Sequence, residues 1–374
     1  MTHPHKHTSE HKAHPHGHGD HKGAEIRLVA WEITRNCNLS CIHCRASATK
    51  GPYTGELETA DCFRVVDQIA ETGSPIVILT GGEPLLRSDI FDIARYGTEK
   101  GLRMVMAPNG TLITEESARK MGESGIRRIS ISLDGASKEK HDRFRGVEGA
   151  FEAAQRGIRL AKAAGIEFQI NTTITQNNLE EMPKIQDLAV ELGAVAHHIF
   201  LLVPTGRGKY IADQAIDAVQ YEQALNWFYD QREKTPLQLK ATCAPHYYRI
   251  LRQRAKQEGK TVTFQTHGLD AVTRGCLGGT GFCFISHVGI VQPCGFLELN
   301  CGDVTKDSFK TVWETSEIFL KLRDYDNLKG KCGACEYKRV CGGCRARAYE
   351  ATGDYMAEEP LCTYQPVRCR EQVC

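Results

Sequence analysis

The sequence predicts an α/β fold: an open, partial (β/α)6 barrel followed by a small cysteine-rich domain. Three observations predict it. Short apolar runs alternate with segments of helical period between Leu28 and Val203. Polar and glycine-rich motifs fall at the ends of those runs. Eleven of the sixteen cysteines lie beyond Gly275, where metal rather than a large apolar core would hold a small domain together.

LVAWEIT (28–34) reads as the first strand and runs into a cysteine loop. From Thr59, residues Cys62, Val65, Val66 and Ile69 share one helical face. PIVILT (75–80) is a short buried-type strand ending in GGEP, and a helix follows from Asp89. LRMVMA (102–107) ends at PNG, and RRISISLD (127–134) is the fourth strand. Phe151, Ala154, Ile158 and Ala161 mark a helix, FQINTTIT (168–175) alternates as a strand, residues 179–193 are helical, and AHHIFLLV (196–203) is the sixth strand. Strands alternating with helices imply a parallel sheet with right-handed crossovers. In such barrels chemistry gathers at the carboxyl ends of the strands, where the cysteine loop, Thr80–Pro84, Pro108–Gly110, Asp134–Gly135 and Asn171 all fall. The boundaries read as 1–23 a His-rich tail, 24–203 the barrel, 204–267 a bridging region with helical patterns near 219–232 and 246–257, and 268–374 the cysteine-rich domain.

The first 22 residues hold eight of the fifteen histidines and almost no apolar surface, so they read as a disordered tail. A net charge of +1 gives no general attraction to nucleic acid or an anionic membrane. No apolar run reaches the length of a spanning helix and the N-terminus has no signal-peptide core, so a cytoplasmic location is expected. With no export signal, clustered cysteines favour metal ligation over disulfides.

Cys37, Cys41 and Cys44 stand at C-x3-C-x2-C. A cubane iron–sulfur cluster usually takes four thiolates, and a structural zinc site also wants four ligands. One reading is therefore a zinc loop that borrows His43; the other is a cluster with one iron left open. The loop resembles the signature of the radical S-adenosylmethionine (SAM) superfamily, in which SAM fills the open iron. Gly81-Gly82-Glu83-Pro84 resembles that family's GGEP motif, HDRFRG (141–146) its H-D-x-x-R element, and Ser130, Ser132, Asp134 and Asn171 fall where the family contacts SAM. The resemblance implies Cys37, Cys41 and Cys44 as cluster ligands, Gly81, Gly82, Glu83, Ser132 and Asn171 as SAM contacts, and Arg145 as partner of the SAM carboxylate.

Further on, Cys276, Gly289 and Cys294 fit C-x12-G-x4-C, and Cys332, Cys335, Cys341 and Cys344 fit C-x2-C-x5-C-x2-C, with Cys362 trailing. This resembles the SPASM extension of radical SAM enzymes, with one residue fewer between the last pair. It implies two auxiliary [4Fe–4S] clusters, one on Cys276, Cys283, Cys294 and Cys344 and one on Cys332, Cys335, Cys341 and Cys362, making three clusters in all. Cys62 reads as a core residue, while Cys243, Cys301, Cys369 and Cys374 are left outside the three clusters. Paired zinc sites are the competing reading.

HHIFLLVPTGRGK (197–209), TCAPHYYRI (242–250) and residues 274–304 resemble the haem b synthase family of the alternative haem pathway. That family converts iron-coproporphyrin III to haem b by oxidative decarboxylation of two propionates, with an electron donor such as ferredoxin or flavodoxin. A substrate rich in carboxylates needs cations, for which Arg45, Arg207, Lys209, Arg249 and Arg274 are candidates. His197, His198, His246, Tyr247 and Cys243 are candidates to approach the porphyrin iron; at most one of the adjacent histidines points inward from a strand. The competing functions are a SPASM peptide-modifying maturase, the neighbouring didecarboxysirohaem step, and a non-catalytic electron-transfer or metal-storage protein.

Overall fold

The computed structural model describes residues 24–371; the His-rich tail lies outside them. The six strands read from the sequence form in order: β1 (Leu28–Thr34), β2 (Ile76–Gly81), β3 (Arg103–Met106), β4 (Arg128–Ser132), β5 (Glu167–Ile174) and β6 (Ala196–Leu201). Each pairs in parallel with the next. The intervening helices are α1 (Thr59–Ala70), α2 (Ile90–Glu99), α3 (Glu115–Glu123), α4 (Lys138–Arg145), α5 (Ala150–Ala163) and α6 (Met182–Leu192).

One face of this sheet is packed and the other is not. Val29, Trp31, Val77, Leu79, Met104, Ile129, Phe168 and Ile170 are buried against α1, α2, α3 and α5 through Val65, Ile69, Ile93, Ala118 and Ile158. Successive side chains of a strand point to opposite faces. The alternate residues Ile78, Thr80, Val105, Ser130, Ser132, Gln169, Asn171, His198 and Phe200 are only half-buried. A closed barrel fills that inner face with Val, Ile and Leu. Here it is left open and partly polar.

The sheet does not stop at residue 203. After α7 (Ala218–Asp230), β7 (Gln238–Thr242) joins β6 in parallel and leads into α8 (His246–Gln257). Two short helices follow, α9 (Phe264–His267) and α10 (Leu269–Val272). Then β8 (Phe282–Ile285) pairs in parallel with β1 on its other side, and β9 (Ile290–Gln292) and β10 (Gly302–Asp303) continue antiparallel. The result is one ten-stranded sheet in the order β10-β9-β8-β1-β2-β3-β4-β5-β6-β7. The tail thus begins inside the barrel sheet, an arrangement that the shift in composition at Gly275 conceals.

Beyond the sheet come α11 (Phe309–Thr315), α12 (Glu317–Arg323), α13 (Gly330–Ala334), α14 (Arg345–Thr352) and α15 (Val367–Glu371). Trp313 Nε1 donates to the Ala24 carbonyl at 2.6 Å, and Gln68 of α1 bonds the Val304 carbonyl and the Phe309 amide at 3.1 and 2.8 Å. No helix among the described residues is long and apolar enough to cross a membrane.

Candidate active site and cysteine centres

The cysteine loop leaves the carboxyl end of β1. Cys37 and Cys41 are buried and Cys44 half-buried. Each thiol has a donor: Leu39 N–H reaches Cys37 Sγ at 3.4 Å, Ala48 N–H reaches Cys44 Sγ at 3.4 Å, and Arg145 Nη1 reaches Cys41 Sγ at 3.6 Å. Burial pushes the Cys37 thiol up to about 11 and raises Cys41 as well, so loading metal must release protons. The N–H donors stabilise the thiolates once formed. Among the described residues no group of three His, Cys, Asp or Glu side chains is gathered tightly enough for a single metal ion. A cubane instead gives each thiolate its own iron, which suits a spread triplet. His43 stacks on Phe144, ring centroids 4.4 Å apart, so its ring is engaged in packing rather than completing a zinc set.

Gly81 and Gly82 seat the GGEP turn on the chain that leads into the cysteine loop. A Cβ on Gly81 would lie 2.1 Å from the Thr34 carbonyl oxygen, and one on Gly82 would lie 2.3 Å from that of Asn36. Gly82 and Glu83 donate their N–H groups to those same carbonyls at 2.8 Å. The glycines therefore let the GGEP turn lie flat on the root of the cysteine loop. Glu83 is buried, with its two oxygens on the amides of Leu85 (3.0 Å) and Asn109 (2.7 Å). Burial raises it to about 7, against the pull of those two amides. Its carboxylate clamps the ends of β2 and β3 together.

Arg145, expected to hold the SAM carboxylate, is buried at the end of α4 between Asp134 and Cys41. Asp134 also accepts from Thr173 N at 2.7 Å. The guanidinium thus lies between the Cys41 sulfur and the Asp134 carboxylate, tied to the ends of β4 and β5. Ser132 and Asn171 face each other in register at those strand ends, half-buried on the inner face.

The candidate cations each have a partner in the protein. Arg45 bonds Glu32 at 2.6 Å and lies over the Phe284 ring at 4.4 Å. Arg207 donates to the carbonyls of Cys41 (2.8 Å) and Ala48 (2.6 Å), strapping the PTGRGK segment across the cysteine loop. Lys209 pairs with Glu350 at 3.1 Å on the surface. Arg274 lies over the Tyr325 ring at 3.9 Å. On α8, Arg249 pairs with Glu222 at 2.9 Å, and Tyr247 is buried against Phe228 and accepts from Arg232 at 3.1 Å. His246 is buried against the edge of Tyr221. These three belong to the helix layer outside β7, not to the inner face. Of the adjacent histidines, His197 turns outward to Thr172 (3.0 Å) and Phe228, while His198 is on the inner face and bonds Gln169 at 2.9 Å.

Two inner-wall residues escaped sequence reasoning. Glu32 of β1 is fully buried and bonds Arg45, Arg35 (3.1 Å) and His287 (2.7 Å). Burial alone would raise its pKa; the His287 hydrogen bond and the charges of Arg45 and Arg35 bring it down to about 2. The signal was there: a charged residue in an apolar strand. Lys240 stands beside His198 in the β6–β7 register. No signal marked it, because β7 was not read as a strand.

Six of the remaining cysteines fall into two sets. Cys332, Cys335, Cys341 and Cys362 line one cavity together with His246 and Arg249. Tyr337 N–H donates to Cys335 Sγ and Glu359 N–H to Cys332 Sγ, both at 3.4 Å. Cys294 and Cys344 pack together around Val203 and Leu297. Cys283 does not join them: it faces Val29 in the main core, where Cys301 also packs. Alternation explains this, since its neighbour Phe284 turns the other way, beneath Arg45. Cys62 and Cys301 behave as core thiols and lie 3.8 and 3.7 Å from the carbonyls of Leu57 and Leu299.

Residues 31–189 match the radical SAM superfamily, and residues 276–344 match the SPASM iron–sulfur cluster-binding domain. An AdoMet-dependent heme synthase of Nitratidesulfovibrio vulgaris is 57% identical over 95% of this chain and 98% of its own length. The chain belongs to the radical SAM superfamily. It is a radical SAM enzyme with a SPASM domain, in the same group as that synthase. A Fe-coproporphyrin III synthase of Methanosarcina barkeri is more distant, 31% identical over 90% of this chain and 87% of its own length. The fold agrees with the peptide-bound structure of SuiB from Streptococcus suis, at a TM-score of 0.72 and 17% identity, covering 91% of this chain and 76% of that one. A radical SAM partial barrel with a SPASM domain is thus the architecture, and iron–sulfur clusters and SAM are its cofactors.

Proposed function

We propose that this enzyme converts iron-coproporphyrin III to haem b by oxidative decarboxylation of two propionates to vinyl groups. The observation that carries this reading is the open, partly polar inner face beside the three-cysteine loop, in a chain alike over nearly its whole length to a heme synthase. Bound at Cys37, Cys41 and Cys44, a [4Fe–4S] cluster with SAM supplies a 5′-deoxyadenosyl radical able to take a hydrogen atom from carbon.

The substrate chemistry balances with that supply. Each propionate gives up one hydrogen atom, one electron and CO2, and becomes vinyl. The electron needs an acceptor, for which the two auxiliary cysteine sets provide the place, and a ferredoxin or flavodoxin is the expected donor for activation. Arg145 holds the Cys41 thiolate in a low-dielectric setting, and Glu83 and Arg207 fix the loop that carries it. Ser132 and Asn171 offer hydrogen bonds to SAM at the strand ends. Lys240, on the inner wall of β7 beside His198, is the cation for a substrate carboxylate. Burial lowers its pKa, which a bound carboxylate would reverse.

The test is anaerobic reconstitution with iron, sulfide, SAM and dithionite, followed by mass spectrometry of added iron-coproporphyrin III. The expected product has lost CO2 and two hydrogens at each of two propionates, with one 5′-deoxyadenosine formed per vinyl. Deoxyadenosine formed while the porphyrin stays unchanged would overturn the reading.

A further inference from the structure

We propose that Cys243, from outside the matched cluster-binding segment, is the fourth thiolate of the first auxiliary cluster, alongside Cys276, Cys294 and Cys344. This rests on the iron–sulfur reading above and replaces Cys283 in it.

Cys243 follows the last residue of β7 and packs in the same group as Cys294 and Cys344. The titratable groups near Cys243 include Cys344, Cys294 and Cys276, whereas those near Cys283 are Cys301 and Arg323. The Cys243 carbonyl accepts from Arg347 Nη2 at 2.9 Å and from Tyr221 Oη at 3.1 Å. Arg347 lies one helical turn beyond Cys344, and its other amine bonds Glu359 at 3.1 Å. Glu359 in turn accepts from the Cys344 amide at 2.6 Å. A buried Arg–Glu bridge thus fixes Cys243 and Cys344 to each other. The chain beside the third member also packs on this turn: a Cβ on Gly275, the residue before Cys276, would lie 2.4 Å from Pro245 Cβ, two residues after Cys243.

Two further observations mark this turn as a ligand site. Cys243 has φ +53°, in the left-handed region that side chains other than glycine seldom adopt. Among the described residues only Ser47, in the SAM-cluster loop, shares that trait. Such strain persists where function holds it. Three residues on, His246 is 1% exposed with neither ring nitrogen partnered, and it lines the cavity of the second cysteine set. The 243–246 turn therefore runs between the two sets. Cys283, by contrast, sits inside the sheet core on the face opposite Phe284.

The test counts iron and sulfide in anaerobically purified full-length protein whose Cys37, Cys41 and Cys44 are all changed to Ala. With two auxiliary cubanes that background should hold about 8 iron per chain. Adding Cys243→Gly, which suits the positive φ, should leave about 4 iron and remove one reduced-cluster EPR signal. Adding Cys283→Ala should leave iron and signals as they were. The reverse pattern overturns the assignment. If Cys243→Gly strips all iron, Cys243→Ser decides: a shifted EPR signal supports ligation, an unshifted one overturns it. A background without iron and sulfide would sink the three-cluster reading itself.

Discussion

Glu32 is the residue on which the inner wall turns. Three basic side chains converge on one buried carboxylate. Breaking a buried pair leaves uncompensated charge and costs several kcal/mol. Glu32→Gln is expected to lose about 3 kcal/mol at neutral pH. The sign follows from the depressed value. Glu32 stabilises the fold fully above its ordinary pKa of 4.5, and that contribution fades as the pH falls toward about 2. Denaturant unfolding followed by tryptophan fluorescence should show a large gap between wild type and variant at pH 7 and a smaller one at pH 3. An equal gap at both would place the stabilisation elsewhere. Arg145 is the second decisive side chain. Arg145→Lys keeps a charge but loses the fork that reaches both Asp134 and Cys41. The SAM-site cluster should then show a more negative reduction potential in an EPR redox titration, because a donor to sulfur raises the potential.

At the scale of elements, the GGEP turn and the cysteine loop act as one piece. Gly82→Ala would drive a methyl into the Asn36 and Arg35 carbonyls, where overpacking costs about 1–3 kcal/mol. It should lower iron occupancy of the SAM site, while Gly73→Ala, which meets no atom within 4 Å, should leave occupancy unchanged apart from a small stability loss. The first six strands were legible in the sequence because each is a short apolar run closed by a turn motif. β7 and β8 were not. QLKAT carries polar residues on a half-open face, and FCFI lies inside a cysteine field that drew the eye to metal. The same field explains the placing of Cys283. Spacing alone puts a cysteine near a cluster, but strand alternation decides which side of the sheet it faces. The contacts of Arg45, Arg207 and Arg249 were illegible for another reason. Their partners, Glu32, the Cys41 and Ala48 carbonyls, and Glu222, are distant in the chain.

At the scale of the whole molecule, β8 covers the edge of the first strand. A chain ending at His267 would bare β1 along a row of unpaired amides, a template for association. Such a truncation is expected to aggregate on expression, and gel filtration of the soluble fraction checks it. A stable monomer would mean that the barrel needs no cover there.

That seam also limits engineering by exchange of parts. A foreign tail grafted after residue 267 must bring its own strand, in step with Leu28 through Trp31, with small apolar side chains turned toward Val29 and an aromatic floor offered to Arg45. Chimaeras that swap only the metal-bearing loops and keep residues 282–285 should therefore tolerate transplantation far better than wholesale replacement at the apparent border.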